Sequence, residues 1–530
     1  MNKTLKSATQ QKSNSALPPG YIKKIISICC LLAVIHADNA FSQGKISRPR
    51  TIVTTDGEVD DQDSFMRLLL YSDDFNIEGL VYTSSEWHYK GDGKGTKFIS
   101  EMPMAKRIYG ERTELRWIGT EWMSDLIDEY AKVYSNLLKH DKDFPTPQYL
   151  KSIIRVGNID FEGEMDHDTP GSDFIKKILL DDKPGPVYLQ MWGGTNTVAR
   201  ALKSIEDTYK STNKWQSVYK KVSEKAALYI ILDQDATYKK YVAPNWPDIK
   251  VIYNSNQFWS FAYFWPRVVP AELQTFFKGT WMAQNIKFNH GPLLARYFLW
   301  GDGQKLQADP DHTQGDTAQA RRNGFGQYDF LSEGDSPSYF YLINTGLRSL
   351  EDPAYGGWGG RFVRDSVNSK LWADVKNVND SKNEVSFGQK AWMDAVQKVS
   401  PGQTRWIDAL QNDFAARAEW CVKNYKDANH VPVVKLNHSA NISAKPGELV
   451  KVSGSATDPD ANKLTYSWWQ YQEAGTYAGK IDIQNAEGKD ASFAVPADAK
   501  TGKTIHVILE VKDSGSPTLT RYQRVIVTVK

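Results

Sequence analysis

The stretch TIVTTDGEVDDQDSF, residues 51–65, places Asp56, Glu58, Asp60, Asp61 and Asp63 within eight positions. Carboxylates that close repel and raise one another's pKa, so they call for a cation or a chemical task. Asp56 and Asp61 follow the apolar Ile52 and Val53 on what reads as a strand-to-helix turn. A turn can bring both to one point, and hard oxygen ligands at variable spacing suit Ca²⁺, which takes about six to eight of them. The competing reading is helix capping, with Asp60 or Asp61 opening a helix near Gln62. Capping uses one or two acids and leaves the others without a role.

The elements that must position these acids repeat along the chain. RTIVTT is followed by DQDSFMRLLLYS, NIEGLVYTSS by PMAKRIYGERTEL, and GPVYLQMWGG by TNTVARALKSIEDTYK; AALYIILDQD precedes DIKVIYNS. Strand, loop and helix in alternation predict an α/β fold over residues 48–345, with a parallel sheet covered on both faces. Ligands of such sheets bind beyond the carboxyl ends of the strands. The loops TTDGEVDD, TSSEWH, WGGTNT and LDQD sit there. Residues 346–430 read as a helical extension of the same domain, with Trp406, Leu410, Phe414 and Ala418 on one helix face. From residue 431 to 530 the period changes to two, in ELVKVSGSAT, KLTYSWWQYQ, TIHVILEVKD and YQRVIVTVK, which predicts a small all-β, immunoglobulin-like sandwich. TDPDANKLTYSW resembles the polycystic-kidney-disease and cadherin-like sandwiches of secreted proteins. Its Asp458 and Asp460 suit either a second Ca²⁺ or a turn.

Bulk composition narrows the classes. The 530 residues carry 65 basic and 63 acidic side chains, net +2, with no basic run beyond the amino-terminal region. A nucleic-acid polymer as partner would call for a basic footprint. Aromatics reach 12%, including 17 Trp, which suits sugar rings or flat ligands and equally suits core packing. Residues 1–42 read as an export signal: Lys23 and Lys24, the apolar run IISICCLLAVIHA, then a small-residue cleavage site at Ala40–Ser42. The run is too short to span a bilayer. The expectation is a secreted or periplasmic protein, cleaved near Ser42 and free of the membrane afterwards, with Cys421 as its one remaining cysteine and therefore no internal disulfide.

TTDGEVDDQDSF resembles the amino-terminal signature of nucleoside hydrolases, Asp-x-Asp-x-Gly-x-Asp-Asp. With VYTSSEW, WGGTNTVARAL, Gln234-Asp235, EGDSPSYFYLI, YGGWGGRF, QNDFAARAEWCV and TRYQRVIVTV, nearly the whole chain resembles a family of cellulose-binding proteins that join a nucleoside hydrolase-like domain to a carboxyl-terminal sandwich. The resemblance implies Ca²⁺ held by Asp56, Asp61, Asp335 and the carbonyl of Thr195. It implies Asp56 and Asp60 as catalytic acids, the first as general base and the second holding sugar hydroxyls. Glu86, Trp87, Trp192, Asn196, Asp235, Glu333 and His290 are the expected substrate-binding residues. Thr195 also suits a helix cap, Asp335 a turn before Ser-Pro, and Trp87, Trp192 and Trp358, in loops expected near the site, core or seam packing. Thr54 stands where the signature has its first Asp, Gly57-Glu58 replaces Pro-Gly, and Gly334 precedes Asp335 where purine-cleaving relatives carry a leaving-group His. His88 and His290 are candidate substitutes, and the substrate need not be a nucleoside. The reading is an exported Ca²⁺-dependent hydrolase of N-glycosidic or other glycosidic bonds. The alternative is a polysaccharide (cellulose) binder without catalysis. A sandwich that mainly attaches the protein is a third, and oligomeric state is left open.

Overall fold

Arg50–Thr55 (β1) is dense in β-branched residues, and all six are buried, as expected of a strand covered on both faces. A computed structural model describes residues 48–310, 312–375 and 389–530 around it; the export segment read at 1–42 lies outside the described residues. The strands that follow are Asn76–Tyr82 (β2), Ile154–Val156 (β3), Val187–Met191 (β4), Ala226–Ile231 (β5), Lys250–Asn254 (β6), Val363–Arg364 (β7) and Leu371–Ala373 (β8). They form one sheet in the order β3-β2-β1-β4-β5-β6-β8-β7. Every pairing is parallel except β8 with β7.

Helices cover both faces. Val59–Leu70, Trp122–His140 and Ile407–Trp420 pack on one, through Phe65, Leu68, Leu126, Tyr130, Leu410 and Phe414. Pro170–Leu180, Asn196–Tyr209 and Trp215–Lys225 pack on the other, through Ile175, Leu179, Val198, Leu202 and Val222. The strand order reverses at β1, which lies between β2 and β4. The helices that follow β1 and β4 pack on opposite faces, which makes this the topological switch point at which doubly wound sheets take ligands.

The helix Ile407–Trp420 ties the 346–430 extension to the first helix. Arg67 donates to the Leu410 carbonyl at 2.8 Å and to Gln411 at 2.9 Å. Arg417 donates to Asp73 and to the Leu70 carbonyl, both at 2.6 Å. The extension also adds β7 and β8 to the sheet, strands of two and three residues, too short for a periodicity to show in the sequence.

The all-β part consists of a three-stranded and a four-stranded sheet around Val452, Trp468, Phe493, Val507, Leu509 and Val525. Its last strand, Thr520–Val529, docks on the α/β part. Tyr522 N donates to the Thr345 carbonyl at 2.9 Å, and Arg521 pairs with Asp413 at 2.8 Å. Arg524 is wholly buried and donates to the carbonyls of Leu347, Tyr355 and Gly356. Asp460 belongs to this seam: its carboxylate lies 3.0 Å from His430 Nδ1, and His430 Nε2 lies 2.9 Å from His140 Nδ1.

Candidate functional site

β1 ends at Thr55, and the chain turns through Asp56, Gly57 and Glu58 before the helix Val59–Leu70 begins. Gly57 has φ +86°, a conformation that favours glycine. The helix's cap residue is Glu58, with no side-chain capping bond, and Asp60 and Asp61 lie in the first turn. Neither acid caps the helix. Thr55 Oγ1 donates to Asp61, and Ser332 Oγ donates to Asp60 at 3.1 Å. Asp63 points elsewhere and accepts from the Phe298 amide at 2.8 Å.

Asp60, Asp61 and Asp335 converge. Each offers a carboxylate oxygen within 4.8 Å of the other two, and all three are buried. Burial, then repulsion from Glu58 and Asp56, push Asp60 up to about 7, and burial with the neighbouring acids holds Asp61 and Asp335 well above the ordinary carboxylate range. Three such acids in a shielded site are poor anions alone and good ligands together. A divalent cation would supply the charge whose absence raises their pKa values, and an all-oxygen donor set suits a hard ion. Asp56 behaves differently. Burial would raise it, but His88 outweighs burial and holds it below the usual range. His88 Nδ1 lies 3.6 Å from Asp56, and Nε2 lies 3.8 Å from Asp309. Asp56 Oδ2 is buried without a hydrogen-bond partner.

The loop after β4 completes this edge. A Cβ on Gly193 would stand 2.9 Å from the Asp56 Cβ, so glycine lets WGGTN lie against Asp56. Thr195 is the cap residue of the helix Asn196–Tyr209, but its hydroxyl makes no capping bond and has no partner. Its carbonyl accepts from the Ala199 amide at 2.9 Å and keeps a second lone pair. Gly334 has a local reason too: a Cβ there would meet Asp60 Oδ2 at 2.8 Å.

The acids open into a cavity of about 350 Å³. Glu58, Asp60, Asp61 and Asp335 line it with Arg116, Tyr263, Gln234 and Gln314, and Trp87, Tyr109, Trp192, Phe258, Trp259 and Phe264 give it aromatic walls. Of the aromatic residues expected at the site, Trp87 and Trp192 line this cavity.

The family model described as the cellulose-binding Sde182 nucleoside hydrolase-like domain matches residues 50–362. The chain belongs to this family. The companion model, the Sde0182 carboxyl-terminal domain, matches residues 449–529. A nucleoside hydrolase-related protein of Saccharophagus degradans, described as associated with carbohydrate metabolism, is 26% identical, with a TM-score of 0.66 over 91% of this chain and 100% of its own. A plant nucleoside hydrolase, PpNRh1, aligns at 10% identity and TM-score 0.27, over 67% of this chain and 99% of its own. The effector XopQ, solved with adenosine diphosphate ribose, aligns at 10% identity and TM-score 0.29, over 68% of this chain and 94% of its own. A search of curated proteins finds no match. The family's two-part architecture is thus the one seen here, a nucleoside hydrolase-like α/β domain followed by β-strands.

Other residues that the sequence assigned to the site have other partners. Asn196 is fully buried, accepts from Thr83 at 2.6 Å and donates to Ser84, Asn158 and Glu164. Asp235 accepts from the Asn196 and Thr237 amides at 2.9 Å each, which pins one loop to the other. Glu333, wholly buried, pairs with Arg67 at 3.1 Å and accepts from Tyr297 and Ser336. Glu86 is buried beside Glu162 and raised well above its usual range, first by burial. None of these four lines the cavity, nor does His290, whose neighbour Gly291 packs against Val133 and Cys421. Trp358 is buried at the sandwich seam under Arg521. Conversely, the sequence reading passed over Arg116, Tyr263, Trp259 and Asp309. Arg116 and Tyr263 come from loops without a motif, Trp259 from the short helical turn Gln257–Phe261, and Asp309 joins the site through Arg116 at 2.8 Å and His88 at 3.8 Å.

Proposed function

We propose that the protein is a cation-dependent hydrolase of glycosidic bonds, with Asp60, Asp61 and Asp335 as the carboxylate cradle of the ion. The observation that carries this is the convergence of three buried acids within 4.8 Å of one another at the floor of an aromatic-walled cavity. Asp56, whose charge acts on Asp61 and Asp335, and the Thr195 carbonyl are the further ligands this reading expects. Calcium is the ion that the all-oxygen donors favour.

A bound cation of this kind supplies a polarised water at neutral pH. Asp56, kept ionised by His88, is placed to accept the proton of an attacking water, the work of a general base. Asp60, ionised once the cation is bound, is suited to accept a hydrogen bond from a sugar hydroxyl. The buried aromatic walls exclude bulk water and offer apolar faces to a sugar ring. The reacting centre would be an anomeric carbon with oxocarbenium character. Export to the periplasm or outside the cell belongs to the same reading.

The second reading is a saccharide binder that has kept a hydrolase cavity, and the family's description as cellulose-binding favours it. Calcium titration of wild type beside Asp61→Asn, followed by a sugar-release assay, tests both. Calcium binding lost in the variant together with released sugar supports the hydrolase. Ion and sugar binding without release supports the binder. Unchanged calcium affinity in the variant overturns the cradle.

A further inference from the structure

His140 ends the helix Trp122–His140 of the α/β part. His430 follows the helix Ile407–Trp420, and Asp460 lies in the turn between the sandwich strands Leu449–Thr457 and Thr465–Gln470. The three form a hydrogen-bonded relay across the seam. His140 Nε2 stands 3.1 Å from the Lys423 carbonyl, and its Nδ1 stands 2.9 Å from His430 Nε2. His430 Nδ1 stands 3.0 and 3.1 Å from the two oxygens of Asp460, whose carboxylate also accepts from the His430 amide at 2.6 Å. Asp458 builds the turn, accepting from the Asp460 and Asn462 amides at 2.9 Å each. His140 stacks on Trp420 at 5.1 Å between ring centres, and His430 on Tyr425 at 3.9 Å. Two ammonium groups stand nearby and are engaged elsewhere. Lys139 donates to Asn136 and Asn424, and Lys423 pairs with Glu419 at 2.6 Å. None of the relay residues lines the cavity.

The acceptors at the two ends fix the charge of the relay. A carbonyl and an ionised carboxylate only accept, so His140 Nε2 and His430 Nδ1 each carry a hydrogen. A neutral imidazole has a single N–H. With both rings neutral, the two remaining nitrogens would face each other at 2.9 Å as lone pairs with no donor between them. A hydrogen bond there takes one further proton, which makes the pair a monocation balanced by Asp460. Burial first, then the charges of His430 and Lys139, pulls His140 down to about 4, in keeping with one proton for two rings. We infer that His140 and His430 share this proton and form a pH-gated clasp between the sandwich and the α/β part. Above the ordinary imidazole value near 6.5, unfolded histidines have given up their protons. The stability that the shared proton contributes is therefore lost as pH rises through the titration of the pair. Its departure leaves two lone pairs in contact and opens this end of the seam, while Arg521, Tyr522 and Arg524 hold the rest.

The test is a double-mutant cycle on the full chain. Wild type, His140→Gln, Asp460→Asn and the double variant are unfolded in urea, in EDTA, at pH 7 and at pH 9. His140 and Asp460 each bond to His430 from opposite sides, so simple packing predicts additive effects. A shared proton couples them. The coupling should be about tenfold in the unfolding constant at pH 7, the scale of a bond to a charged group, and should fall toward none at pH 9. NMR of wild type labelled with ¹⁵N-histidine gives a second reading that needs no variant to fold. It should show a ring proton coupled to nitrogens of two different imidazoles at pH 7, lost at pH 9. Additive effects at pH 7, or a coupling undiminished at pH 9, overturn the clasp, as does absence of that ring proton at pH 7. A coupling that appears only when zinc replaces EDTA also overturns it and puts a metal between the rings.

Discussion

Replacing Asp60 by Asn should stabilise the cation-free protein and abolish its response to cations. Burial and its acidic neighbours raise this carboxyl from 3.8 to about 7 in the fold. A raised acid favours folding below its unfolded pKa and loses that advantage as pH rises through the folded value. At pH 8 the cost of ionising Asp60 is then about 4 kcal/mol, at 1.36 kcal/mol per pKa unit. Asn carries no charge but weakens the bond from Ser332, worth about 1–2 kcal/mol. The net expectation is a gain of about 2–3 kcal/mol. Residues Arg48–Lys530 form one compact unit, for which an unfolding entropy near 2.1 cal/mol/K per residue gives about 1 kcal/mol per degree. The cation-free melting temperature should therefore rise by about 2–3 °C. Cation at a hundred times its Kd adds about 2.7 kcal/mol to wild type, close to the same shift, and should add almost nothing to the variant. Differential scanning calorimetry at pH 8, with chelator and then with excess calcium, reads both arms. If Asp60→Asn melts lower than wild type in chelator, the acids are not in mutual conflict. A variant that keeps the full calcium shift would show that the ion sits elsewhere.

Three other perturbations probe separate parts of the argument. Gly334→Ala puts a methyl group 2.8 Å from Asp60 Oδ2; displacing that ligand should weaken calcium about tenfold or more by titration, while an unchanged affinity would detach Asp60 from the ion. Glu333→Gln breaks the buried pair with Arg67 and should lower stability by about 3–5 kcal/mol in denaturant unfolding, while saccharide affinity of the folded protein stays as in wild type; a selective loss of affinity would return Glu333 to the substrate. His506 accepts from Arg524 at 3.0 Å, and burial first, then the guanidinium, pull its pKa down to about 3. The unfolded chain therefore binds a proton that the fold refuses between pH 6.5 and 3, so stability falls as pH drops through that window. His506→Gln should flatten the acid limb of the stability–pH curve by up to about 5 kcal/mol, and an unchanged limb would place the acid sensitivity elsewhere.

The α/β part was legible because its central strands are long, apolar runs and its helices keep a regular period. β1, β4 and β5 each bury every residue, which is the physical source of those uniform runs. β7 and β8 have two and three residues, and no periodicity exists at that length. The acids stood out because five of them crowd one turn, and the fold brings two, Asp60 and Asp61, to Asp335. Capping competes for the same residues, and only geometry dismisses it: Thr55 and Ser332 hold Asp61 and Asp60 away from the helix amides.

Adjacency misleads where the backbone turns. Glu333 and Asp335 are two residues apart, yet only Asp335 faces the cavity. The tight turn into the helix Pro337–Phe340 sends Glu333 back toward Arg67. Asn196 and Asp235 lie on site loops, and both spend their polar atoms joining those loops. Such residues position the site by fixing its backbone, and their removal should misplace Thr195 without removing a ligand. Arg116, Tyr263 and Glu58 show the converse. Each is ordinary in its own stretch, and they become one wall only when the segments before Trp122, around Phe264 and after β1 fold over the same crevice. A motif reports what one turn of chain can do alone. The charged wall depends on three segments and on the Asp309 loop that grips Arg116, so its chemistry exists only in the folded protein.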